Sequence, residues 1–342
     1  FTDYERIKSL LLQYQAVMEG AIVSTGHRYA VSLASRSLSK NSHINELWHG
    51  IAQYRMIKQM TEKLLAGGEP ETVLEALSGI LSTIASSVLK QNNLKPALIG
   101  GRDAIQAAEK RLNAVHDALP ENGTPSFFSP DIAPETHVSG AALPFDGWHT
   151  TTAVNFVGQS FKTVRITHPD SPGLSVISKL LRSMYLHREI REKGGAYGGF
   201  AMYNSEEGIF SFGSYRDPHI NRTIDVYTGA CDFILSGDYD QTDVKEAILQ
   251  VCSEIDKPET PAPAAMKAFY RDITMLTDDI REQFKDSLLN LDKEKIQQIA
   301  ETYFKVDDSQ KGTAVIASQP SLEAANEERR KQGRQPLELF KI

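Results

Sequence analysis

Apolar residues recur at helical spacing along the first third of the chain. Ile7, Leu10, Leu11, Tyr14, Val17, Met18 and Ala21 follow the i, i+3, i+4 rule behind an acid at Asp3, which predicts a helix to about residue 24. Thr25-Gly26-His27 interrupts it, and a second helical stretch covers about 28–38. Leu47, Ile51, Tyr54, Ile57, Met60 and Leu64 share one face of a helix over 45–65, which Gly67, Gly68 and Pro70 stop. Helices are expected over 71–81 and 103–118, and short strands over 84–88 and 94–99. Later the pattern turns to alternation: 154–157 and 163–166 read as strands, and 196–203 and 208–215 as a hairpin across Asn204-Ser205-Glu206-Glu207. A helix over 174–191 leads into that hairpin, and helices follow over 221–235, 240–256, 264–275, 278–289 and 292–303. A strand over 313–317, a charged helix over 322–332 and an exposed tail complete the expectation.

Five prolines between residues 119 and 145 separate these two regimes. The expected organisation is therefore a helical segment over 1–120, a proline-rich linker over 121–145, and an α+β domain over 146–342. In that domain a small, mainly antiparallel sheet is expected to carry helices on one face. A length of 342 residues, 41% hydrophobic and 24% charged, fits globular domains, and a net charge of −7 argues against a general nucleic-acid binder. Two cysteines, Cys231 and Cys252, cannot build a disulfide framework and have no zinc spacing around them. No apolar run approaches the ~20 residues of a membrane helix, so no membrane partner is expected. The chain starts at Phe1 without methionine, which suggests a processed chain or part of a longer one.

The chemistry-bearing types give one false lead and one candidate pair. His43 and His49 flank a glutamate, but on a helix they stand ~9 Å apart along the axis and ~120° apart around it, so they do not share a metal. No HxxEH or HExxH pair, nucleophile elbow, phosphate loop or dinucleotide fingerprint occurs in the sequence. The densest unusual stretch is Arg191-Glu192-Lys193-Gly194-Gly195-Ala196-Tyr197-Gly198-Gly199, where a helix gives way to a strand. That order is the reverse of a phosphate cradle, which opens a helix. Arginine offers a rigid fork of donors and a tyrosine hydroxyl can donate to a carbonyl oxygen or oxyanion, so Arg191 and Tyr197 can receive a peptide, even alongside a sheet edge. Each has a plain alternative: Arg191 as a cation at a helix C-terminus, Tyr197 as a half-buried strand aromatic. Arg216-Asp217-Pro218 reads as a turn with a local ion pair or as a second substrate-facing edge.

The stretch from Arg191 to Gly198, followed by Phe210-Ser211-Phe212 and Tyr215-Arg216-Asp217-Pro218, resembles the C-terminal half of the pitrilysin/insulinase zinc metallopeptidases, in the presequence-protease branch that includes falcilysin. The run Ser24-Thr25-Gly26-His27-Arg28-Tyr29-Ala30 and the proline-rich break before Ala264 carry the same resemblance. It implies that 1–120 is a helical remainder of the third family domain and 146–342 the fourth. It also implies that Arg191 and Tyr197 act on the substrate near a zinc held by the other half, with Gly194, Gly195, Ala196 and Gly198 contacting the peptide. The expected partners are a peptide substrate and an N-terminal zinc-bearing half, and no cofactor is expected in this chain. The alternative is a stand-alone, non-catalytic peptide-binding or regulatory subunit. The resemblance places the protein in the cytoplasm if bacterial and in an organelle matrix if eukaryotic.

Overall fold

The computed structural model describes residues 2–66, 70–121 and 143–342. Most of the expected linker, 122–142, and the glycines at 67 and 68 lie outside the described residues. The helices are α1 (Tyr4–Ser35), α2 (Lys40–His49), α3 (Ile51–Leu65), α4 (Pro70–Val88), α5 (Arg102–Ala118), α6 (Ser171–Leu180), α7 (Asn221–Thr228), α8 (Ala230–Ser236), α9 (Gln241–Ile255), α10 (Pro261–Ile273), α11 (Asp278–Leu289), α12 (Lys293–Phe304) and α13 (Gln319–Lys331). A π-helix, Leu181–Glu192, continues α6. The strands are β1 (Phe145–His149), β2 (Phe156–Lys162), β3 (Gly198–Asn204), β4 (Ile209–Tyr215), β5 (Lys311–Ala317) and β6 (Glu338–Lys341).

These elements form two compact units. One takes in the described residues within Phe1–Tyr14, Lys58–Ala133 and Lys257–Asp278, and its regular structure is helical. Residues 84–88, expected as a strand, complete α4, and 94–99 have no regular structure. Short apolar runs do not separate strand from helix by periodicity, and here no neighbouring strand pairs with them.

The other unit holds the described residues within Gln15–Ile57, Pro134–Asp256 and Asp279–Ile342. Its sheet runs β3-β4-β2-β5-β1-β6. The first four strands pair antiparallel, whereas β1 pairs parallel with β5 and β6. The fold is α+β, with the sheet mixed at one end. The tail is not exposed throughout: β6 extends the sheet and Ile342 is buried.

Helices cover both faces of this sheet rather than one. Along β2, Phe156 points to one side and Val157 to the other; along β5, Ala314 and Ile316 oppose Val315. Strands buried on both faces show near-continuous burial, as β5 does at all seven positions. The larger core lies under α6, the π-helix and α7, α8, α9, α12 and α13. The smaller one joins Phe156, Trp148 and Ile316 to Met18, Ile22, Leu33, Ile51 and Tyr54 of α1 and α3. Residues 15–57 therefore belong with the sheet, although they precede the expected boundary by many residues.

The second half of α1 reaches the sheet because small residues line both surfaces. A Cβ on Gly158 would lie 2.6 Å from the Ala30 carbonyl carbon, and one on Gly312 would collide with the Ala34 oxygen. The expected break at residues 25–27 is a kink. Thr25 leaves helical geometry (φ −126°, ψ 32°), and its hydroxyl donates to the Ala21 carbonyl at 2.8 Å, a back-bond that bends helices. We expect Gly158→Val to destabilise this unit by about 1–3 kcal/mol through overpacking against the α1 backbone, read as a lower denaturation midpoint.

Candidate active site

Arg191 and Tyr197 stand at the end of the π-helix and the entry to β3. The wider winding is visible in the hydrogen bond from Lys193 N–H to the Arg188 carbonyl, five residues back. The turn then wraps around Ile190. The Ile190 carbonyl accepts from Ala196 N–H at 3.1 Å, and a Cβ on Gly194 would sit 2.4 Å from that oxygen. Gly199 faces the Ile190 side chain, where a Cβ would fall 2.9 Å from Cδ1. Gly195 takes φ +76°, the left-handed region that glycine adopts without strain. The glycines thus give the chain a tight reversal around one buried isoleucine.

The reversal carries Tyr197 out of the core. Its N–H bonds to the Tyr215 carbonyl at 3.1 Å while the residue is 66% exposed. The Arg191 guanidinium lies over the phenol ring, 5.8 Å from its centroid. The Tyr215 ring meets the Tyr197 ring edge-on at 5.4 Å. The ring is therefore held by aromatic contacts. Among the described residues, no hydrogen bond engages the Arg191 guanidinium or the Tyr197 hydroxyl, so their donors are free for a ligand.

Both residues line a cleft of about 730 Å³. Gly198, Gly199, Phe200, Tyr215 and His27 form one part of its wall; Lys179, Arg182, Ser183 and His187 form another, with Gln250 and Glu254 of α9 beyond them. Gly194, Gly195 and Ala196 do not line it; Gly194 and Ala196 are buried in the turn. Arg182, His187 and Arg191 follow one another at spacings of five and four. The π-winding thereby brings to one cleft three residues that a regular α-helix would fan apart. Lys179 is neutralised by Glu254 at 2.7 Å, and His187 faces Glu192 at 3.3 Å. The cleft keeps an excess of cationic donors.

Local sequence signals do not single out this wall. His27 enters the sequence reading only through the family resemblance, with no site role. In the fold it packs edge-on against Tyr215 at 4.8 Å and Phe200 at 5.5 Å, and its Nδ1 is buried without a hydrogen-bond partner. Burial, with Arg28 adding to it, lowers the His27 pKa below 6.5. Arg216-Asp217-Pro218 is a turn without the expected ion pair: Arg216 has φ +51°, and buried Asp217 accepts from the His219 N–H and the Thr223 hydroxyl. Burial is the leading cause of the raised Asp217 pKa.

Among the described residues, no group of three or more histidine, cysteine, aspartate or glutamate side chains could hold a metal ion. His43 and His49 sit at opposite ends of α2. The residues present do not fit a zinc site, and no chemical step here runs through one. No helix among them is long and apolar enough to cross a membrane.

Known proteins share this fold and much of its sequence. Residues 148–319 match the family model described as the PreP C-terminal domain, and residues 1–60 match the one described as associated with peptidase M16, subfamily C. The mitochondrial presequence protease of Kluyveromyces lactis is 30% identical over 89% of this chain. Presequence protease 1 of Arabidopsis thaliana, chloroplastic and mitochondrial, is 28% identical over 96%. The chain spans 30% and 29% of their respective lengths. Among solved structures, pitrilysin superposes with a TM-score of 0.59 at 10% identity, covering all of this chain and 34% of its own. A peptidase M16 inactive domain from Pseudomonas fluorescens gives 0.57 at 14% identity, over 98% of this chain and 72% of that one.

Because His27 is held neutral by burial, its imidazole is expected to titrate below 6.5 in the folded chain. The unfolded chain then binds the extra proton first. This contribution to stability is complete above pH 6.5 and falls as pH drops toward the folded-state value. Following the His27 Cε1 proton by NMR across pH 4–8 checks it; a midpoint at or above the ordinary histidine value overturns it.

Proposed function

The chain belongs to the presequence-protease C-terminal domain family, and from that premise we propose that it is the C-terminal, substrate-binding half of a zinc-dependent metalloendopeptidase acting on unstructured peptides. The observation that carries this reading is the Arg191–Tyr197 pair, exposed at one cleft with its side-chain donors free among the described residues. The wall around it is rich in cations and aromatics, which suits a peptide backbone with its carbonyl oxygens and any carboxylate it carries. Zinc ligands belong to the other half, which is either a further part of the same polypeptide or a separate subunit.

In this reading Tyr197 donates from its hydroxyl to the scissile carbonyl oxygen as negative charge develops there, and Arg191 binds the same region through its planar fork. Such donors matter because they are fixed in advance and meet charge that grows in the transition state. Gly198, which has nothing within 4 Å of where a Cβ would be, borders the path of the peptide. Gly194, Gly195 and Ala196 serve that path by holding the turn. An organelle matrix is the proposed location in a eukaryote and the cytoplasm in a bacterium; the names of the mitochondrial and chloroplastic relatives support the first.

In the assembled enzyme, Tyr197→Phe is expected to lower kcat by about 10²-fold or more, the effect of losing one oxyanion donor at about 2.7–4 kcal/mol. Arg191→Lys is expected to be damaging as well, since a point charge does not replace a fork. Steady-state kinetics on a quenched peptide substrate decide the matter. Near-normal kcat in Tyr197→Phe removes it from the chemistry and favours the non-catalytic peptide-binding reading.

A further inference from the structure

The sheet has two edges, and they differ in a way the rest of the fold does not require. At one end, β6 is four residues long, Glu338-Leu339-Phe340-Lys341, with a charge at each end. Short, charged strands are a common way of blocking further pairing. At the other end, β3 is seven residues long, Gly198-Gly199-Phe200-Ala201-Met202-Tyr203-Asn204, and carries no charge and no proline. An unguarded edge of that length is a template for another strand.

The register shows which of its groups are unpaired. Tyr197 N–H donates across to the Tyr215 carbonyl, and β3 pairs with β4 from Gly198↔Tyr215 to Asn204↔Ile209. Inward and outward groups alternate along an antiparallel strand. With Tyr197 facing β4, Gly199, Ala201 and Tyr203 face it too. Gly198, Phe200 and Met202 turn their N–H and C=O groups to the open side. Among the described residues, no hydrogen bond from another element reaches these three backbones.

We propose that an extended peptide adds to β3 as a further strand of the sheet, bonding to the outward main-chain groups of Gly198, Phe200 and Met202. The inference rests on the reading of this chain as the substrate-binding half of a peptidase, and says how the peptide is held. The peptide is chosen over a second copy of the chain because the edge runs into the cleft at Gly198, Gly199 and Phe200, where Arg191 and Tyr197 stand. A strand laid there passes the free donors of that pair. Main-chain pairing supplies affinity without reading sequence, which suits unstructured substrates of varied composition.

The test uses the full chain and an unstructured, fluorescent peptide of about ten residues, long enough to follow β3 at ~3.3 Å per residue. It is accompanied by versions singly N-methylated at each amide in turn. Anisotropy is expected to show binding weakened about tenfold at every second methylated position and little between them, as loss of a ladder hydrogen bond predicts. Met202→Pro removes an outward N–H, which an edge strand tolerates, and is expected to weaken the parent peptide similarly with an unchanged near-UV circular dichroism spectrum. Tyr197→Phe is expected to keep the affinity while losing turnover in the assembled enzyme. A flat response to N-methylation overturns strand addition, and leaves the active-site reading standing if Tyr197→Phe still loses turnover. Absence of peptide binding together with normal Tyr197→Phe turnover overturns both. A dimer that Met202→Pro dissociates, without peptide binding, assigns the edge to a second copy and overturns the proposal.

Discussion

One buried residue organises the candidate site. Ile190 lies near the end of the π-helix, accepts the Ala196 N–H, and fills the space that side chains at Gly194 and Gly199 would occupy. Any residue with a Cβ at Gly194 meets backbone, which cannot rotate away as a side chain can. The helix can reverse into β3 within a few residues only because those positions are glycine. Since Tyr197 sits inside that reversal, its exposure and its place beside Arg191 are set by how closely the chain folds around Ile190. The glycine-rich stretch is thus the mechanical cause of the site, whatever it contacts when a peptide is present.

A second constraint sets what lies opposite. The second half of α1 is pressed onto the sheet through Gly26, Ala30 and Ala34 on the helix and Gly158 and Gly312 on the strands. This contact brings His27 beside Tyr215 and Phe200, although it lies far from them in sequence. Helices on both faces leave the sheet only its edges to offer. One edge ends in a short charged strand; the other opens on the cleft.

The α+β class, the hairpin, most of the helices and the Arg191–Tyr197 pair are legible in the sequence, because each rests on local signals: periodicity, caps, turn residues and a dense motif. What stays hidden is non-local. β1 lies at the end of a proline-rich stretch and has no strand partner nearby in sequence; it becomes a strand because β5 and β6 flank it. The tail looks polar, yet Leu337 and Ile342 are buried once β6 pairs with β1. The π-helix is invisible because Leu174, Ile177, Leu181 and Ile190 satisfy an ordinary helical reading, and winding depends on the tertiary setting. With it go Arg182 and His187, whose spacing places them beside Arg191 only when the helix is wide.

The site is prepared rather than satisfied. A buried polar network would fix Arg191 and Tyr197 by hydrogen bonds and use up the donors that recognition needs. Here position comes from faces and edges of rings instead: the guanidinium over Tyr197, Tyr215 against Tyr197, His27 against Tyr215. Such contacts restrict orientation while leaving the Arg191 N–H groups and the Tyr197 O–H unspent. An arrangement that orders two strong donors and gives them no partner within its own unit has its partner in a ligand, and the unpaired main chain of β3 beside it has the same need.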